Sequence, residues 1–125
     1  MINQKYYEEF KGEDAVKIWT NEDEIECGIL VWRGFFDAVL EGCFRKVFSR
    51  NGIVECYYNQ NGFFDEKWEM QYPAIVLREL AGFDEKQLNH LDKEIVRGSK
   101  EVVGHLVSLI NIAASHNQKI YIECI

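Results

Sequence analysis

From Trp32 the apolar residues Phe35, Phe36, Val39, Leu40, Cys43, Phe44, Val47 and Phe48 recur at steps of three and four. This spacing lines one face of an α-helix. Glu41 and Arg45 can pair at i,i+4, Arg45, Lys46 and Arg50 lie at the C-terminal end, and Asn51-Gly52 supplies a stop. Upstream, Asn21-Glu22-Asp23-Glu24 places a capping residue three positions before a glutamate, which predicts a helix start near Glu22. Gly28 and Gly34 weaken a helix between these points, so Ile25 to Arg33 reads equally as a strand or as a short separate helix.

Ile53 to Tyr58 and Phe63 to Met70 flank the turn-forming tetrad Asn59-Gln60-Asn61-Gly62, which predicts a β-hairpin. Alternation puts Val54, Cys56 and Tyr58 on one face of its first strand, with Glu55 opposite; in the second strand Phe64, Trp68 and Met70 face away from Asp65, Lys67 and Glu69. Pro73 and Gly82 bracket a short apolar helix. Asp84 then caps a helix running to about Arg97, with Leu88, Leu91 and Ile95 inward and Gly98 as its stop. Ser99 opens a further helix to His116 with the stripe Val102, Val103, Leu106, Leu109, Ile110 and Ala113. Ala15 to Thr20 and Lys119 to Cys124 read as strands. Four strands and four or five helices, with two strands adjacent in sequence, make an α+β fold: a small, mainly antiparallel sheet packed with helices. At 125 residues, with a lone proline, no linker and no repeat, residues 1 to 125 are expected to form one domain.

Composition narrows the function. The formal charge is -7, which disfavours nucleic acid and anionic lipid as partners, because binding them requires Lys and Arg to replace counterions. A basic protein is the better complement. Residues 1 to 26 carry most of the excess, eight acids against three lysines. The N-terminus lacks the basic and apolar regions of a signal peptide, and no run approaches the roughly 18 apolar residues of a membrane span. A cytoplasmic location is the expectation. Cys27, Cys43, Cys56 and Cys124 form no C-x-x-C and have no His at ligand spacing, as suits reduced thiols and no metal site.

No phosphate loop, dinucleotide fingerprint, nucleophile elbow or H-E-x-x-H motif occurs, and no cofactor is expected. Glu101, His105 and Ser108 match a catalytic triad in residue type, but all three lie on one helix face, where an oxyanion hole and a presented nucleophile are missing. Glu55, Asp65 and Glu69 could bring carboxylates together across the hairpin, yet a solvated strand face explains them as well. His90 and His116 have polar neighbours and no nucleophile or metal cluster beside them.

What remains is acids clustered with aromatics. Tyr6, Tyr7, Glu8, Glu9 and Phe10 form one group; Glu22, Asp23, Glu24 and Glu26 follow Trp19; Asp65, Glu66 and Glu69 surround Trp68. Aromatic anchors ringed by carboxylates suit a face that meets Lys and Arg on a partner. Glu22, Asp23, Glu24, Asp65, Glu66, Trp68 and Glu69 are the candidate contact residues.

In length, acidity, α+β pattern and absence of catalytic motifs, the chain resembles the small immunity proteins of bacterial contact-dependent inhibition and polymorphic toxin systems. Its ending, Ser99 to His116 followed by Lys119 to Cys124, is similar in order to the helix-then-strand ending of barstar. The resemblance implies a non-catalytic antitoxin that covers the active site of a cognate toxin, commonly a basic nuclease. It carries over no individual residue. The competing expectation is a small adaptor that binds through an apolar face.

Overall fold

A computed structural model of the chain describes residues 1–43, 50–59 and 66–125. Its strands are β1 (Ile2–Asn3), β2 (Ala15–Glu22), β3 (Ile25–Trp32), β4 (Trp68–Glu69) and β5 (Ile120–Cys124), in the sheet order β1-β3-β2-β5-β4. The helices are α1 (Arg33–Cys43), α2 (Ile53–Asn59), α3 (Pro73–Ala81) and α4 (Lys93–Ser115), with 3₁₀ turns at Glu8–Phe10 and Glu85–Leu88. Among the described residues only the two-residue β1 pairs in parallel, with β3; the other pairings are antiparallel. The fold is α+β, as expected.

Alternation along the strands explains the core. Val16, Ile18, Ile29, Val31, Ile120 and Ile122 point to one side and are buried there with Phe36, Val39 and Leu40 of α1 and Val102, Leu106, Ile110 and Ala113 of α4. Leaving α1 aside, the two strands anticipated at either end of the chain and the Pro73–Ala81 helix all form, with Pro73 in the first turn and Gly82 as the C-cap. Of the predicted Trp32-to-Phe48 stripe, Phe36, Val39, Leu40 and Cys43 are buried and Phe35 is half-buried. Phe44, Val47 and Phe48 lie outside the described residues.

Three expectations are corrected. No helix starts at Glu22: Asn21 and Glu22 complete β2, and Asp23 and Glu24 turn the chain at φ +50° and +65° into β3, so Ile25–Trp32 is strand. Both turn residues therefore occupy left-handed backbone without glycine, and the acids that imitate a helix cap are the hairpin turn itself. The hairpin expected at 53–70 is absent from the described part of that stretch. Ile53–Asn59 is helical, and Trp68–Glu69 pairs with β5. Finally, Asp84 does cap, accepting from the Lys86 N–H at 3.0 Å, but what it opens is a single 3₁₀ turn; the helix proper restarts at Asp92 and runs unbroken through Gly98 and Ser99. A Cβ on Gly98 would sit 2.5 Å from the Phe35 ring, so this glycine provides clearance for a neighbour, and the Ser99 hydroxyl donates within the helix to the Val96 carbonyl.

The start of α2 has a long-range cap. The Glu79 carboxylate on α3 accepts the Ile53 N–H at 2.7 Å and so caps α2 from 26 residues away. Burial pushes the Glu79 carboxyl above its ordinary value, partly offset by the Ile53 and Val54 amides. Glu79→Ala is expected to cost about 1–2 kcal/mol, the range for losing a cap and orphaning its donors. Because the folded pKa is raised, this group's stabilising contribution is present at low pH and declines as pH rises through its titration. Glu79→Gln keeps an acceptor and should flatten that decline. Urea unfolding across the carboxylate range checks both, and an alanine loss below about 0.5 kcal/mol would remove Glu79 as the cap.

Candidate functional site

Six of the predicted contact residues lie among the described residues, on the β2–β3 tip and on or beside β4. Glu22, Asp23 and Glu24 form the exposed β2–β3 tip, next to Ile25, which is 58% exposed, and among the described residues no cation pairs with them. Glu69 stands on β4 opposite Tyr121, whose other neighbour is Trp19 of β2. Two strand spacings, roughly 10 Å, thus separate Glu69 from the hairpin. Glu69 pairs with Lys119 at 3.6 Å, and Glu66 is exposed. Trp68 is half-buried and packs against the core beside Ile122. Asp65 lies outside the described residues.

The opposite end of β3 holds an arrangement whose parts are far apart in sequence. The N-terminal arm is tied down by β1 and by the Trp32 N–H donating to the Tyr6 carbonyl at 2.9 Å. This brings Phe10 flat onto Trp32, with ring centroids 4.0 Å apart and planes 4° apart. Phe35 stands edge-on to both, at 5.4 and 5.2 Å, and Tyr6 stands edge-on to Phe35. These four rings line a groove of about 620 Å³ beside the first turns of α4. Its rim carries Glu9, Asp92, Glu94 and Glu101 against Lys5 and Arg97.

Within the groove the Tyr6 hydroxyl donates to Glu101 Oε1 at 3.2 Å, and Lys5 Nζ lies 3.7 Å from the same oxygen. Burial, and then the Glu101 charge, pushes the Tyr6 phenol above its ordinary value, so it stays a neutral donor. Glu9, Asp92 and Glu94 are exposed and have no ion pair among the described residues. The arrangement offers flat apolar surface beside unspent carboxylates, which is what the apolar stem and charged head of a Lys or Arg side chain require. Sequence reasoning identified part of it, the Tyr6-to-Phe10 cluster with Glu8 and Glu9. Trp32, Phe35 and Glu94 join only through the fold.

The other chemical candidates are not assembled. Glu101 is committed to Tyr6 and Lys5, His105 packs its ring against Tyr6 with centroids 5.3 Å apart, and Ser108 is exposed one turn further along α4. Glu55 is on α2 and Glu69 on β4, so no strand pairing joins them. His90 pairs with Glu41 at 3.0 Å on the surface, and His116 is the α4 C-cap. All four cysteines are free; burial, followed by the Glu55 charge, raises the Cys56 thiol to about 11, where it is unreactive. Among the described residues no group of three His, Cys, Asp or Glu side chains gathers as metal ligands, and no helix is long and apolar enough to cross a membrane.

A separate polar chain joins α2 to α1: the Tyr57 hydroxyl donates to Asp37 Oδ1 at 2.5 Å and accepts from Arg33 Nε at 3.2 Å, while Arg33 lies 3.5 Å from Asp14. Desolvation, reinforced by the Asp37 bond, pushes the Tyr57 hydroxyl far up. It therefore acts as a fixed hydrogen-bond donor, clamping α2 in place.

Comparison with protein-family models, with curated proteins and with solved structures finds no match for this chain.

Proposed function

We propose that this chain is a non-catalytic binding protein that seats a basic segment of a partner protein in the groove lined by Tyr6, Phe10, Trp32 and Phe35. The observation that carries this reading is the conjunction of stacked rings with the unpaired carboxylates Glu9, Asp92 and Glu94. Rings with limited rotamer freedom give up little entropy on binding, and carboxylates next to a desolvated floor count for more than the same charges in open water. In the setting that the sequence resemblance implies, the partner is a toxin and this chain is its cytoplasmic immunity protein. The acidic β2–β3 tip, roughly 20 Å away along β3, then serves mainly to steer encounter.

The test pairs this protein with the product of the adjacent gene, using growth rescue on co-expression and calorimetry across a salt series. Glu9→Lys with Glu94→Lys is expected to weaken binding by about 10- to 100-fold. Glu22→Lys, Asp23→Lys and Glu24→Lys together should chiefly slow association, by about 10-fold at low salt, with little change in dissociation. Affinity that ignores both salt and the groove reversal would overturn the reading and favour an adaptor that uses an apolar face.

A further inference from the structure

The adjoining flank of α4 carries the reverse charge. A second groove, of about 650 Å³, lies between the Glu85–Leu88 turn and the first turns of α4, where Lys86, Lys93, Arg97 and Lys100 converge. Four of the chain's 14 cations thus gather in one place on a protein whose net charge is -7. The two acids that line it are already engaged: Glu85 with Lys100 at 3.3 Å, and Glu101 with Tyr6 and Lys5 on the other flank. Lys86, Lys93 and Arg97 are exposed and have no carboxylate partner among the described residues.

We infer that this groove binds an acidic peptide segment bearing apolar side chains. The apolar half of that assignment comes from the lining, where the half-buried Leu91 and Val96 contribute apolar surface between the cations. The acidic half comes from the unpaired cations and from the N-terminus of α4. Lys93 is its first residue, Asp92 makes no side-chain cap, and the helix dipole adds to the positive potential. Lys93 and Arg97 are four residues apart on α4, roughly 6 Å, a span that carboxylates at successive turns of a bound helix can match. A nucleic acid fits less well. Its phosphates make no use of an apolar floor, and they would be repelled by the chain's overall charge. Arg97 and Glu101 line both grooves, so the inference is tested at Lys86 and Lys93, which line this one and not the acidic groove.

The test uses the full chain and a fluorescein-labelled peptide of glutamates with a leucine at every third or fourth position, read by anisotropy in low salt. Saturable binding is expected, weakened about 10-fold or more by Lys86→Glu with Lys93→Glu and unaffected by Lys119→Glu at the far end of the sheet. The neutral pair Lys86→Ala and Lys93→Ala should give a smaller loss in the same direction, and it carries the test if the reversed pair melts abnormally. An oligothymidylate of equal charge should compete poorly. Absence of saturable binding, indifference to both double substitutions, or equal competition by the oligothymidylate would overturn the inference; the last would show a general polyanion surface instead.

Discussion

Phe36→Ala should lower the free energy of unfolding by about 3–5 kcal/mol, the range for emptying a buried phenylalanine site. Phe36 is fully buried on the sheet-facing side of α1, and its ring meets Tyr57 of α2 edge-on at 5.7 Å. It therefore lies where sheet, α1 and α2 meet, and the space cannot close without moving one of them. Tyr57→Phe is the matched comparison. It keeps the second ring and removes only the hydroxyl that bridges Arg33 and Asp37, so its cost should stay near 1–2 kcal/mol. Against a typical total of about 5–15 kcal/mol, the first change removes a large share of the stability and the second a modest one. Urea unfolding of the two variants with unchanged m-values checks the order. If Phe36→Ala costs under about 1 kcal/mol, the core is looser than its burial implies.

Elements whose causes are local were readable from the sequence. The strand-like runs at Ala15 to Thr20 and Lys119 to Cys124, and the Pro73 and Gly82 bracket, carry their own evidence. Elements with distant causes were not. Ile53–Asn59 is rich in β-branched and aromatic residues and reads as strand, while the Glu79 carboxylate that caps it as a helix arrives from α3. Gly98 has the composition of a helix stop, but the Phe35 ring that requires it is 63 residues away in sequence. The Asn21-to-Glu24 segment illustrates a different limit: the same residue types favour a helix cap and a tight turn, and strand pairing on both sides selects the turn. The candidate site follows the same division. Its Tyr6-to-Phe10 portion was legible as aromatics beside acids, while Trp32, Phe35 and Glu94 had no local signal linking them to it. Trp68 carried the same local signal as Phe10, and β4 turned it inward.

Gly28→Ala is expected to be at least as damaging to the sheet as most core truncations, although it adds only one methyl group. Gly28 sits mid-strand in β3 opposite Trp19 of β2, with Ile2 of β1 on its other side. A Cβ there would lie 2.0 Å from the Ile18 carbonyl oxygen and 2.6 Å from the Trp19 Cα. Both obstacles are backbone, so no rotamer change can relieve them; β2 and β3 would have to separate where Ile18 pairs with Ile29. Replacing glycine by alanine ordinarily gains about 0.5–1 kcal/mol within a strand by restricting the unfolded chain. Overpacking costs about 1–3 kcal/mol even where side chains can yield, and here the clash also strains ladder hydrogen bonds, so a net loss of about 3 kcal/mol is expected. The damage should spread toward the β2–β3 tip. Amide exchange at Thr20, Asn21 and Ile25 should therefore accelerate more than exchange in α3, whose packing does not involve Gly28. If Gly28→Ala unfolds within about 1 kcal/mol of the parent and leaves those amides protected, the strands can part cheaply at this point, and close backbone approach is not what requires glycine there.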